Sequence, residues 1–129
     1  MSKKQIINTT EAPSPVGPYN QSILANGTLY ISGQIAINPS NGELITTNIE
    51  DETHKVFSNI KAILAKAELT LEDIVKCSVF VSDMKMYERI NAVYATYFNE
   101  ETAPARELVE VSNLPKYVNV EISAIAVKS

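Results

Sequence analysis

The sequence holds a single cysteine, Cys77, so no disulfide can close within the chain and a secreted scaffold stapled by such bonds is excluded. A reducing compartment, the cytoplasm, suits such a chain. Histidine is equally scarce: His54 stands alone, with no second His or Cys at ligand spacing, which argues against a metal site. Apolar runs stop after a few residues, far short of the roughly 18 that suggest a membrane span. Lys3 and Lys4 are not followed by the apolar stretch of a signal peptide. Positive charge has no concentration either. Eleven Lys+Arg against fifteen Asp+Glu leave a net charge of -4 scattered along the chain, whereas a grip on nucleic-acid phosphates needs basic residues gathered together. Self-similarity at periods of about 20 to 50 residues is missing as well, which removes repeat architectures.

What is present describes one domain spanning residues 1–129, with 45% hydrophobic and 20% charged residues, close to the globular average. Gln5 to Asn8 is a short apolar piece, and Pro13, Pro15 and Pro18 then fix three φ angles to make a stiff loop. Two β-rich runs, Gln21 to Ala25 and Thr28 to Gly33, flank Asn26-Gly27, the pair that best supplies the two positive φ angles of a type I′ hairpin. A loop at Asn38 to Gly42 reverses the chain. Ile49, Thr53, Val56, Phe57, Ile60, Ile63, Leu64 and Ala67 then trace one apolar stripe along a helix of about five turns, with Thr47 and Glu50 resembling a capping box. Ile74 to Val81 reads as a strand with Val75, Cys77, Val79 and Val81 on one face. Ser82 or Asp83 caps a second helix running to about Phe98, and strands at Arg106 to Val111 and Val118 to Val127 follow. This order predicts an α+β fold, one sheet with both helices on one face.

Alternation assigns the two faces. Leu29, Ile31, Val79, Val109, Val111, Val120, Ile122 and Ala124 are expected beneath the helices. The other face collects Tyr30, Ser32, Ser78, Phe80, Arg106, Leu108, Glu110, Glu121, Ser123 and Ile125, a mixture too apolar for free water and too polar for a dry core. Such a face is usually covered by another subunit, which predicts a homo-oligomer whose sheets pack together.

Parity thus puts Arg106 and Glu121 side by side, and a charge inside a strand must be paired or used. Either the two form a salt bridge or lie on an exposed sheet surface, or the guanidinium clasps a ligand carboxylate through two parallel hydrogen bonds while the carboxylate orients a water. Cys77 is expected to pack rather than react, because an apolar setting raises a thiol pKa. Ser32 precedes Gly33 but lacks the flanking glycines of a nucleophile elbow. Asn91, one turn from Tyr87 and Tyr94, is expected to hydrogen-bond a neighbouring loop, and Tyr19 is an aromatic presented rigidly after Pro18.

Taken together, Gly17-Pro18-Tyr19-Asn20-Gln21, Ser32-Gly33-Gln34, His54 to Ala62, Asn91-Ala92-Val93-Tyr94, Pro104-Ala105-Arg106, Val109-Glu110-Val111, Leu114-Pro115 and Val120-Glu121-Ile122 resemble the Rid family of reactive-intermediate imine deaminases. The family is also called the YjgF or L-PSP endoribonuclease family. The resemblance covers nearly the whole chain. It implies a chorismate-mutase-like mixed sheet with two helices on one face, a homotrimer with clefts between subunits, and no metal or cofactor. The implied activity is hydrolysis of 2-iminopropanoate and 2-iminobutanoate to 2-keto acids and ammonia. Arg106 corresponds to the arginine that holds the substrate carboxylate and Glu121 to the acid that positions water, with Tyr19, Ser32 and Asn91 at other cleft positions. Leu108 departs from the pattern, since Ser-Cys follows the arginine in the family and Glu107-Leu108 stands here. Leu108 is expected to narrow or dry the pocket. Glu68 departs too, at a position after the first helix that is usually glycine.

Overall fold

Among the residues described by the computed structural model, 3–129, six strands form one sheet in the order β1-β2-β3-β6-β4-β5. Met1 and Ser2 lie outside the described residues. β1 (Gln5–Ile7), β2 (Ser22–Ala25) and β3 (Thr28–Gln34) run antiparallel. Asn26 and Gly27 turn between the last two with φ of 51° and 78°, the paired positive angles that the hairpin needs. After β3 the chain forms α1 (Ile49–Lys66), crosses to β4 (Ile74–Val81), forms α2 (Tyr87–Tyr94), and returns in β5 (Ala105–Glu110) parallel to β4. β6 (Val120–Val127) closes the sheet between β3 and β4, antiparallel to both. The sheet is therefore mixed, with β5 at its edge. No helix among the described residues is long and apolar enough to cross a membrane.

The stripe read from the sequence is the face that α1 buries: Val56, Phe57, Ile60, Ile63 and Leu64 are fully enclosed against Leu29, Val79, Val120 and Ile122. Phe57 also stacks on Tyr97 at 4.4 Å between ring centres, which joins α1 to the segment after α2. The start of α1 differs from the expected capping box. Asn48 is the cap, its Oδ1 accepting from Asp51 N at 2.8 Å, so the cap lies one residue after Thr47 and the first turn begins at Ile49. The second helix stops at Tyr94 rather than Phe98, because the Thr96 and Tyr97 amides bond three residues back and the Thr96 hydroxyl takes the Val93 carbonyl.

Two side chains that periodicity could not rank tie the layers together. Glu52, fully buried on α1, accepts from Asn119 N, Asn119 Nδ2 and Val120 N at 2.7, 2.8 and 3.1 Å, which anchors the start of β6 to the helix. Gln21, also buried, accepts from Thr9 N and donates to the carbonyls of Thr9, Ala12 and Pro13. The proline-rich loop is thus fastened from within, by its own backbone.

Two face assignments are corrected. Pairing between β4 and β6 slips between Ile74 and Lys76, so Ile74 is buried and Val75, expected inside, is 48% exposed. On β5 the whole alternation is inverted. Its register pairs Arg106 with Cys77, Leu108 with Val79 and Glu110 with Val81, all core positions of β4. Val109, expected beneath the helices, pairs instead with Phe80 on the open face and is 43% exposed. Hydrophobicity misleads here because β5 is an edge strand whose covered side meets the end of α2, where polar side chains find partners.

Candidate functional site

Inversion of β5 separates the two candidate charged residues. Arg106 lies on the helix-covered side with Cys77, whereas Glu121 pairs with Phe80 and lies on the open side. The expectation that both project from one face into one crevice is overturned for the single chain, and so is the alternative of a salt bridge between them. Each occupies a pocket of its own.

The first pocket, about 570 Å³, lies between α2 and the chain entering β5, with Arg106, Asn91, Tyr94, Phe98 and Pro104 in its wall. Arg106 Nη1 donates to Asn91 Oδ1 at 2.9 Å and Nη2 donates to the Tyr87 hydroxyl at 3.1 Å. The guanidinium carbon stands 4.7 Å from the centre of the Tyr94 ring, within cation–π range. Asn91 therefore binds a strand arginine rather than the neighbouring loop that its position suggested. Cys77 is buried beneath this group, and burial raises its thiol pKa, as an inert packing residue requires. The Tyr94 hydroxyl is likewise buried and, among the described residues, finds no hydrogen-bond partner.

Leu108 packs against the core beside Val79 and is not among the residues that wall the Arg106 pocket, so in one chain it does not narrow it. With the alternation of β5 inverted, Glu107 points away from Arg106. On the open face it accepts from the Ser78 hydroxyl and pairs with Lys76 at 3.0 Å, and these contacts lower its pKa.

The second pocket, about 350 Å³, is walled by Glu121, Tyr19, Gly33, Gln34, Ser14 and Lys116, among others. β3 and β6 fall out of register here: Ser32 and Gly33 stand where β6 offers only Ser123. The irregularity lets the Glu121 side chain fold over Gly33, where an added Cβ would stand only 2.6 Å from Oε2. Burial raises the Glu121 pKa, the direction that makes a carboxylate a stronger base. Tyr19, half exposed, is presented by the loop that Gln21 fastens, and its hydroxyl accepts from Val16 N at 3.4 Å. Ser32 lies close by, but its hydroxyl is committed to the Asn20 carbonyl at 2.7 Å, a structural bond.

Five of the candidates thus divide between two pockets, Arg106 and Asn91 in one, Glu121, Tyr19 and Ser32 at or beside the other. Reading by residue type missed Tyr87 as a partner of the arginine and Gly33 as the floor beneath the carboxylate. The spacing of Tyr87, Asn91 and Tyr94 along one helix stripe was the signal available for the former. His54, the lone histidine, bonds the Tyr97 hydroxyl through Nδ1 at 2.6 Å, away from both pockets.

A family model described as Endoribonuclease L-PSP matches residues 9–128. A RutC family protein of Pyrococcus horikoshii is 50% identical over 125 residues, covering 97% of this chain and 98% of its own. YyfA of Yersinia pestis, described as a member of the conserved Rid protein family, superposes with a TM-score of 0.94 at 46% identity, over 97% of this chain and 99% of that one. Escherichia coli TdcF, solved with bound serine, gives a TM-score of 0.91 at 40% identity over the same shares of the two chains. Matched over nearly its whole length by the family model and by these relatives, the chain belongs to the Endoribonuclease L-PSP family, which takes in the Rid and YjgF proteins.

Proposed function

We propose that the protein is a hydrolytic deaminase of small 2-imino acids, releasing 2-keto acids and ammonia from a cleft that neighbouring copies build together in a homotrimer. The observation that carries this reading is the split itself. Arg106 and Glu121 sit in separate pockets on opposite sides of one sheet, each equipped for half of the chemistry. The edge of β5 from one copy, seated on the open face of the next, brings the halves together. That face supplies the apolar surface for such docking, since Tyr30 and Val109 are about half exposed there while Phe80 and Ile125 are partly so. The serine bound to TdcF supports a small amino-acid-like ligand in this fold.

The chemistry asks for orientation and water activation. Arg106 holds the substrate carboxylate through its remaining N–H donors, each charge-assisted bond contributing about 1.5–3 kcal/mol. Glu121 of the neighbouring copy takes a proton from a water as its oxygen adds to the imine carbon. The resulting carbinolamine collapses: the C–N bond breaks, a proton passes to nitrogen, and ammonia leaves the new keto group. Raised basicity of the half-buried carboxylate favours the first of these steps.

The test generates 2-iminobutanoate with a threonine dehydratase and follows keto-acid release. Wild type is expected to accelerate it, and Arg106→Ala to lower kcat/KM by at least about tenfold to a hundredfold, roughly 1.4–2.8 kcal/mol. No acceleration by wild type, or full activity in the variant, defeats the reading.

One observation favours a second reading, a non-catalytic trimer that binds keto acids or regulates through them. Leu108 turns into the core and contributes no reactive group beside Arg106. Tight keto-acid binding without imine turnover selects it. Ribonuclease or translation-inhibitor activity ranks third, since an acidic chain has no basic stripe for RNA.

A further inference from the structure

Arg106 is held by α2 more completely than retention of a side chain requires. Its two Nη atoms bond to different residues, Asn91 and Tyr87, while the Tyr94 ring lies against the guanidinium. These three partners stand at i, i+4 and i+7, so one stripe of one short helix forms the whole cradle. The 3-10 turn at Met84–Met86 that leads into α2 is in turn tied to the arginine's own strand, because Glu110 Oε1 on β5 accepts from Met84 N at 2.8 Å. Asp83 Oδ1, accepting from Lys85 N at 2.9 Å, shapes the turn that delivers Tyr87.

We propose that Tyr87 is a positioning residue for carboxylate binding, its hydroxyl fixing the rotation of the Arg106 guanidinium so that the remaining N–H donors face the ligand as a fixed fork. The inference rests on the reading that Arg106 binds the substrate carboxylate, and it adds a residue to that site. The geometry distinguishes the three partners. A ring face restrains the guanidinium plane but sets no direction within it, and one hydrogen bond from Nη1 leaves the group free to pivot about that contact. A second bond, from the other Nη, removes the pivot. A phenol suits the task because its oxygen accepts from arginine while its own proton turns aside, whereas a phenylalanine ring offers no acceptor. Bidentate recognition depends on the direction of the fork, so its loss weakens ground-state and transition-state binding alike.

The experiment compares full-length wild type with Tyr87→Phe, which removes one oxygen and keeps the ring. Nitrogen-15 NMR of the Arg106 Nη groups in the ligand-free protein reads guanidinium rotation directly. Calorimetry with 2-oxobutanoate reads binding, and turnover of the imine reads KM and kcat separately. Expected results are faster Nη rotation, a Kd and KM raised about three- to tenfold with kcat within about twofold, and a melting temperature shifted by no more than about 2 °C. Unchanged Nη rotation in Tyr87→Phe, or a Kd equal to that of a wild type that binds the keto acid, overturns the role of Tyr87 alone. A wild type that binds no keto acid, even with a restrained guanidinium, overturns the carboxylate reading and this assignment with it.

Discussion

Glu121 owes its position to an atom that is missing. Gly33 leaves room for its carboxylate against the backbone, and any side chain there would meet Oε2 and Cδ at 2.6 and 2.8 Å. The obstructed atoms belong to the free end of a flexible side chain, so Gly33→Ala should displace the carboxylate while leaving the fold nearly as stable. We expect kcat to fall by about tenfold or more, roughly 1.4 kcal/mol of barrier, in the coupled imine assay. A second signature follows from burial, which raises the Glu121 pKa. A base works when ionised, so moving the carboxylate into water lowers its pKa and should carry the acid limb of the kcat/KM profile to lower pH. An unchanged limb with reduced kcat would mean that Gly33 acts otherwise. At this scale the sequence disclosed residue types but not their directions. Arg106 and Glu121 stood out as charges within strands, yet which way Arg106 points depends on its register against Cys77, and register is a property of two strands.

Helix α1 ends in a conformation that its sequence resists. Glu68 follows the helix with φ of 62°, while Glu68 N and Leu69 N bond back to the Ala65 and Leu64 carbonyls at 2.9 and 2.8 Å, a Schellman closure built on a residue with a Cβ. Relief of that strain by Glu68→Gly should stabilise the protein by about 0.5–1 kcal/mol, a rise of roughly 2–5 °C in Tm by calorimetry, with activity unchanged. A lower Tm would show that the exposed Glu68–Lys128 pair, 3.9 Å apart, outweighs the strain. Elements themselves were largely legible: the hairpin at Asn26-Gly27, the α1 stripe, and β4 from Ile74 to Val81 all stand where periodicity and turn chemistry put them. What periodicity could not carry were the effects of tertiary partners. The shift at Val75 depends on β6, the inverted face of β5 on β4, and the buried Glu52 on a loop 67 residues away. A carboxylate on an apolar stripe reads as an error until its three donors are in place.

For the whole molecule, one sheet has its helices on one side and a half-apolar surface on the other, with complementary chemistry divided between them. The mixed surface composition is readable in the sequence even though Arg106, Leu108 and Glu110 lie on the other face, because Tyr30, Phe80 and Ile125 carry the signal without them. The proposed division of the site between copies makes a demand that no single-chain pocket makes. Arg106→Ala and Glu121→Ala chains, each strongly impaired alone, should complement one another when co-refolded into mixed assemblies, since a cleft can then draw its arginine from one chain and its acid from the other. At equal amounts about a quarter of the wild-type imine hydrolysis should return, the chance that a cleft receives both intact partners. Activity that stays at the level of the separate variants, in a mixture shown by native mass spectrometry to contain mixed assemblies, would contradict a shared cleft.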